Sequence, residues 1–166
     1  SEDGSLTGIL SDDMKPLPKI TNYAKGKTEV SSFGIKLARR SNKVFIQIRL
    51  FYTYGAGQHS NSLINQLYNC YLDRSIMNLS PCEHYRDYIY ISDVLKGIML
   101  LEKVNECGIV NLGSGSVIRL RDYVTLFWNY LGGDPKQLEF GEHLKLENEP
   151  EQPFCYADLT RLRRLT

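Results

Sequence analysis

Tyr23 and Lys27 have residue types and a spacing suited to proton transfer. On a helix, side chains four positions apart lie on one face, one turn from each other. A phenol gives up its proton near pH ~10 in water, and a positive charge close by favours the phenolate. A phenolate that forms near neutral pH takes a proton from a substrate hydroxyl, which is the work of a general base. With 11 Tyr and ten Lys in the chain, a Tyr-x-x-x-Lys pair arises by chance roughly 0.7 times, so the pair alone decides nothing. A solvated helix face is the ordinary explanation, and the surrounding elements have to separate the two.

A helix is predicted from Asn22 to about Arg40, because Tyr23, Val30, Phe33 and Leu37 recur at helical spacing and Arg39-Arg40 suit its C-terminal end. Residues 1–20 read as a loop with Gly4, Gly8, Pro16 and Pro18. After Ser41-Asn42, the run 44–50 is rich in β-branched residues and apolar on both faces, as in a buried strand of a parallel sheet. Gly55 and Gly57 follow it. They allow either a plain strand-to-helix turn or the close approach of a ligand to backbone, and ligands of open α/β sheets sit at the carboxyl ends of strands.

Residues 60–73 form a further amphipathic helix through Leu63, Ile64, Leu67, Tyr68 and Tyr71. Residues 85–94 read as a strand that passes into a helix capped by Ser92 and running to about Lys103. The apolar run 108–112 is a strand ending in the glycine turn Gly113-Ser114-Gly115-Ser116. A helix over 120–131 is stopped by Gly132-Gly133, and Leu138-Glu139-Phe140 is a short strand. The stretch 142–153 is acidic and irregular, and a last helix starts with Asp158 as its N-cap. Strands alternating with helices indicate an α/β fold with a partly parallel sheet.

Composition narrows the function. A chain of 166 residues, 42% hydrophobic and 23% charged, is long enough for one ordinary core. No stretch approaches the ~20 apolar residues of a membrane span, and Ser1-Glu2-Asp3-Gly4 lacks the basic and apolar regions of a signal peptide. A net charge of +1 gives no electrostatic case for nucleic acid. Cys70, Cys82, Cys107 and Cys155 are scattered, which favours reduced thiols in a cytoplasmic protein over a disulfide framework. His59, His84 and His143 show no metal-ligand spacing, so no metal site is expected.

Four stretches in order resemble the C-terminal half of the extended short-chain dehydrogenase/reductase family, the NAD(P)-dependent nucleotide-sugar epimerases, dehydratases and reductases. Tyr23 to Lys27 resembles the catalytic Tyr-x-x-x-Lys. Arg49-Leu50-Phe51-Tyr52-Thr53-Tyr54-Gly55-Ala56-Gly57-Gln58 is similar to the family's Arg-Leu-Phe-Asn-Val-Tyr-Gly-Pro-Gly-Gln. Residues Arg86 to Val94 resemble Arg-Asp-Phe-Val-Tyr-Val-Asp-Asp-Val, and Val110 to Gly115 resembles Tyr-Asn-Ile-Gly-Ser-Gly. Phe140-Gly141 with Asn148-Glu149-Pro150 is most similar to the sugar-nucleotide 4-reductases typified by CDP-abequose synthase. There are also departures. Tyr52 stands where the family has an Asn that commonly faces the substrate phosphates, and Ala56 stands for its Pro. The run Leu146-Glu147-Asn148-Glu149-Pro150 upstream of Tyr156-Ala157-Asp158 has no Arg where the family often has one, and Lys145 is the nearest cation.

The resemblance implies the C-terminal part of a Rossmann-type doubly wound parallel sheet plus the small substrate-binding lobe. Residues 1–50 would close the dinucleotide-binding domain, 51–166 would be mainly the substrate lobe, and 86–115 would return to the Rossmann sheet. It implies that Tyr23 exchanges a proton with a sugar hydroxyl or ketone while a hydride moves between the same sugar carbon and nicotinamide. Lys27 would favour the phenolate and hydrogen-bond the nicotinamide ribose. Tyr23, Lys27 and Phe51 would meet the cofactor, NAD or NADP; Tyr52, Arg86 and Asp158 would meet the nucleotide-sugar substrate. Arg86 suits a diphosphate through its guanidinium fork, the other possibility being a surface arginine paired with Asp87 or Glu83.

The family's opening strand and Gly-x-x-Gly-x-x-Gly turn, which hold the cofactor pyrophosphate at a helix N-terminus, have no counterpart among these residues. The family's catalytic Ser or Thr precedes the tyrosine by about the distance from Ser1 to Tyr23, so the sequence reads as the second half of an enzyme. Two readings stay open: a fragment of a nucleotide-sugar epimerase, dehydratase or reductase of surface-polysaccharide sugar biosynthesis, and a non-catalytic remnant serving as a binding or interaction module. Either way the chain is expected to need the missing N-terminal half or to self-associate, because a strand apolar on both faces belongs inside a sheet. The chain by itself is expected not to bind NAD(H) or NADP(H). Titration calorimetry with each cofactor checks this, and micromolar binding would overturn it.

Overall fold

The structure, a computed structural model, describes residues 8–13, 22–141 and 154–166. In chain order the elements are β1 (Gly8–Leu10), α1 (Asn22–Arg40), β2 (Ile46–Leu50), β3 (Tyr52–Tyr54), α2 (Leu63–Asp73), β4 (Met77–Leu79), β5 (Tyr85–Arg86) and β6 (Tyr88–Tyr90). They continue with α3 (Ile91–Leu101), β7 (Gly108–Leu112), β8 (Ile118–Arg119), α4 (Leu120–Leu131), a single 3-10 turn (Pro135–Gln137), β9 (Leu138–Phe140), β10 (Phe154–Ala157) and α5 (Thr160–Leu165).

Most of the strand pairing is parallel. β2 and β7 run in register from Ile46 opposite Gly108 to Leu50 opposite Leu112. β3 pairs with β6 and β4 with β9, also parallel. A four-stranded sheet has the order β1-β10-β5-β8, parallel except for the last pair. Parallel partners must come from distant parts of the chain, with a crossover between them. The helices supply those crossovers, as the alternation in the sequence predicts.

Two apolar cores follow. One joins Ile89, Val94 and Leu112, with Ile48, Ile91 and Leu162 packed against them, so it lies between the β2–β7 pair, α3 and α5. Gly97 lets α3 settle on β7: a Cβ there would stand 2.6 Å from Leu112 Cδ1. The other core joins Leu67, Met77, Leu79, Cys82, Val124 and Trp128, and fills the space between α2, α4 and the β4–β9 pair. Trp128 is fully buried, and its Nε1–H donates to the carbonyl of Asp134 at 2.9 Å, which satisfies the one polar atom of the indole.

Several expectations are corrected. The opening segment is not all loop, because Gly8–Leu10 is a strand. It has no local periodicity; its order comes from pairing with β10, far along the chain. Residues 1–7 and 14–20 of the expected loop, and the expected irregular stretch 142–153, lie outside the described residues. β2 begins at Ile46 and is half-buried rather than buried, with Leu50 52% exposed, since β7 lines one of its edges. The cap of α3 is Tyr90, not Ser92, and makes no side-chain capping bond. α5 begins at Thr160 rather than Asp158, with Leu159 in the cap position. Asp158 still caps in effect: its Oδ1 accepts the Thr160 N–H at 2.9 Å. α2 starts at Leu63 because Ser62 Oγ accepts the Asn65 N–H.

β1 is fixed to β7 by buried polar groups. Asp12 Oδ1 accepts the Asn111 N–H at 2.6 Å, and Asn111 Nδ2 donates to the Leu10 carbonyl at 2.6 Å. Burial pushes the Asp12 carboxyl above its usual range, against the opposing pull of the Asn111 hydrogen bond. A carboxyl raised in the folded state binds its proton more tightly there, so its contribution to stability is lost as pH rises from its unfolded value near ~3.9 through the raised native value. Asp12→Asn keeps an oxygen for the Asn111 N–H and removes the charge. Relative to wild type, the variant is expected to gain in melting temperature as pH rises from about 3 to about 7. Thermal melts of both proteins across that range check this, and a pH-independent difference would contradict it.

Candidate functional site

Tyr23 and Lys27 sit in the first turns of α1, on the same face. The Lys27 ammonium lies 5.5 Å from the centroid of the Tyr23 ring. Tyr23 is 67% exposed, so its phenol is open to a ligand. The helix buries Ala24, Ser31 and Ala38, a line of small residues at intervals of two turns, which allows close approach to the rest of the chain. Its larger apolar residues, Val30, Phe33 and Leu37, face outward together with Tyr23. The periodicity that identifies the helix is therefore not the face this chain buries.

The carboxyl end of β2 leads to the second group. The Phe51 N–H donates to the Leu112 carbonyl at 3.1 Å, and the Tyr52 N–H to the Asp87 carbonyl at 3.1 Å, which holds the two residues against β7 and β6. Arg86 is only 6% exposed. Its Nε–H donates to the Tyr52 phenol oxygen at 3.0 Å and Nη1 to the Tyr85 carbonyl at 2.9 Å. Its guanidinium carbon also lies 5.5 Å from the Tyr52 ring centroid. Arg86 is thus not the surface arginine that the sequence left as an alternative. Glu83 pairs instead with Arg119 and, at 3.7 Å, with Arg121.

Sequence reasoning missed the role of Asp87. The side chain is completely buried, and its carboxylate takes four donors. Oδ1 accepts the Ser114 N–H at 2.7 Å and the Ser114 hydroxyl at 2.6 Å; Oδ2 accepts the N–H groups of Gly115 and Ala157, each at 3.0 Å. Gly113 leaves room for it, since a Cβ there would lie 2.6 Å from Oδ2. The signal in the sequence was an Asp inside an apolar strand together with a Gly-Ser-Gly turn, whose exposed N–H groups need an anion.

A run of tyrosines was also missed. Tyr52 lies 5.8 Å from Tyr88, Tyr88 stacks on Tyr123 at 4.0 Å with the rings parallel to within 2°, and Tyr54 touches both Tyr123 and Tyr90. Burial pushes the Tyr88 and Tyr123 phenols well above their usual range, so both stay neutral.

Asp158 lies at another place. Hydrogen bonds from Thr160 hold its carboxyl below the usual range. It lines a cavity of about 310 Å³ with Asp12, Glu106, Arg161 and Arg164, which includes none of Tyr23, Lys27, Tyr52 and Arg86. No cluster of potential metal ligands occurs among the described residues. None of the four cysteines is in a disulfide. No described helix is long and apolar enough to cross a membrane.

The profile of the NAD dependent epimerase/dehydratase family matches residues 4–113, more than half of the chain. The chain belongs to this family. It is 31% identical over 123 residues to dTDP-4-dehydro-6-deoxyglucose reductase of Escherichia coli, covering 69% of this chain and 38% of that protein. It is 24% identical over 133 residues to CDP-abequose synthase of Salmonella typhimurium, covering 76% of this chain and 44% of that one. That branch is the one Phe140-Gly141 and Asn148-Glu149-Pro150 resemble. Among solved structures, MoeE5 in complex with UDP-glucuronic acid and NAD superposes with a TM-score of 0.80 at 23% identity, over 99% of this chain and 55% of that one. The fold is thus the Rossmann-type α/β fold expected from the sequence. The chain spans less than half the length of the two curated relatives.

Asp87→Asn is expected to destabilise this family member by about 1–3 kcal/mol, because even with its oxygen toward the Gly115 and Ala157 N–H groups the amide nitrogen faces the Ser114 N–H in a buried site. Urea unfolding of the variant checks this, and a midpoint within error of wild type would refute it.

Proposed function

We propose that this chain is the proton-transfer and substrate-binding part of an enzyme acting on a nucleotide-linked sugar. The observation that carries the reading is the Tyr23–Lys27 pair, one turn apart with the ammonium against the ring, at an exposed helix end inside the family match. Tyr23 takes the proton of a sugar hydroxyl, or returns one to a ketone oxygen. Lys27 stands with its ammonium against the Tyr23 ring and donates to a ribose hydroxyl. NAD or NADP, when bound, supplies the hydride chemistry. The exposed Tyr23 and Lys27 fit the nicotinamide end of such a cofactor, and Phe51 is assigned to the same cofactor, whereas the glycine turn that would hold its pyrophosphate has no match in this sequence.

Arg86 answers the diphosphate charge of the substrate, with Tyr52 next to it and Asp158 on the same lobe. Residues up to 50 and the segment 86–115 then belong with the dinucleotide-binding domain, and most of 51–166 with the substrate lobe. The outward Val30, Phe33 and Leu37 of α1 and the half-buried β2 support packing against a dinucleotide-binding half or a second copy of the chain. The names of the relatives above support sugar-nucleotide metabolism, and the sugar is assigned here to surface-polysaccharide biosynthesis.

A hybrid tests the reading. The dinucleotide-binding half of dTDP-4-dehydro-6-deoxyglucose reductase is joined ahead of residue 1, and nicotinamide absorbance is followed with a panel of nucleotide sugars. Tyr23→Phe is expected to lower turnover by about 10²–10⁴-fold with an unchanged melting curve. A hybrid that folds, turns over and keeps full activity as Tyr23→Phe would exclude Tyr23 as the base.

A further inference from the structure

The contacts around Arg86 give Tyr52 a role distinct from touching substrate. A guanidinium is planar and rigid, so two fixed donors fix the orientation of the whole fork. Nε–H is held by the Tyr52 phenol oxygen at 3.0 Å and Nη1 by the Tyr85 carbonyl at 2.9 Å. Tyr52 is itself held at both ends. Its backbone N–H donates to the Asp87 carbonyl, and its ring rests on Tyr88, which is stacked on Tyr123. β3 and β6 place Tyr52 directly opposite Tyr88 in a parallel pair. The phenol oxygen is therefore carried on a ring that leans, tilted by 54°, on the stacked Tyr88–Tyr123 pair, and not on a flexible stem.

We infer that Tyr52 is a positioning residue that aims the Arg86 guanidinium at the diphosphate of a nucleoside diphosphate, acting through Arg86. The inference rests on the reading that Arg86 meets the diphosphate. A charged side chain at 6% exposure tolerates little rotational error, because a guanidinium turned away from its anion keeps the cost of burial and loses the compensation. Tyr52→Phe keeps the ring against Tyr88 and the cation–π contact while removing the acceptor. It separates aim from packing.

The experiment uses the 166-residue chain in two measurements. Calorimetric titration with UDP, dTDP and CDP, and with the matching monophosphates, reads affinity. The Arg86 Nε–H resonance in ¹H–¹⁵N spectra reads the orientation of the fork, since a held Nε–H exchanges slowly with water. The wild type is expected to bind at least one of the diphosphates better than its monophosphate and to show a protected Nε–H. Arg86→Ala should abolish the preference for diphosphate. Tyr52→Phe should weaken the diphosphate several-fold, leave the monophosphate nearly unchanged, lose the Nε–H protection and keep the wild-type melting temperature. If Arg86→Ala weakens the diphosphate but Tyr52→Phe leaves affinity and protection intact, positioning by Tyr52 is overturned and the role of Arg86 stands. If the wild type prefers no diphosphate, or Arg86→Ala does not alter its preference, the reading of Arg86 fails and the inference with it.

Discussion

The rest of the structure depends on one buried carboxylate. Asp87 stands between β5 and β6, has no access to solvent, and receives hydrogen bonds from Ser114, Gly115 and Ala157. Those donors belong to the turn after β7 and to the end of β10. Three segments far apart in the chain thus share one anion. A buried charge is tolerated when hydrogen bonds replace its hydration, and here the backbone supplies most of them. The requirement also explains Gly113, since a side chain at that position would enter the space the carboxylate fills.

What this junction holds is the Tyr52–Arg86 corner. The Asp87 carbonyl accepts the Tyr52 N–H, and the residue before Asp87 is Arg86. The phenol of Tyr52 and the guanidinium of Arg86 therefore meet because their backbones leave the same junction. The tyrosine run gives this corner apolar support beyond the two cores. Tyr23 and Lys27 are positioned by α1, whose small residues Ala24, Ser31 and Ala38 let the helix lie close to the rest of the chain. In the proposed function, the Tyr23–Lys27 pair on α1 serves proton transfer and the braced Arg86 serves anion binding, so the chemistry divides between two elements.

The two faces of α1 and the state of β2 have one physical origin. A helix with large apolar residues outward and a parallel pair with an open edge both leave surface that water wets at a cost. The chain covers less than half the length of the two curated relatives named above.

The sequence by itself determined the long helices, the strands β2 and β7, and the family. Helical periodicity over 22–40, 63–73 and 120–131 is a local property that survives any tertiary context. The Tyr-x-x-x-Lys spacing likewise puts two side chains on one face whatever the helix packs against. Only the tertiary structure decided the rest. β1, β3, β4, β5, β8 and β10 hold two to four residues each, too few for a period, and exist because distant partners supply their hydrogen bonds. Which face of α1 is buried followed from close approach of small residues, whereas its sequence stripe pointed the other way. The burial of Arg86, the bond from its Nε–H to Tyr52 and the four donors on Asp87 each join residues that no spacing relates, so they became visible only once the chain was folded.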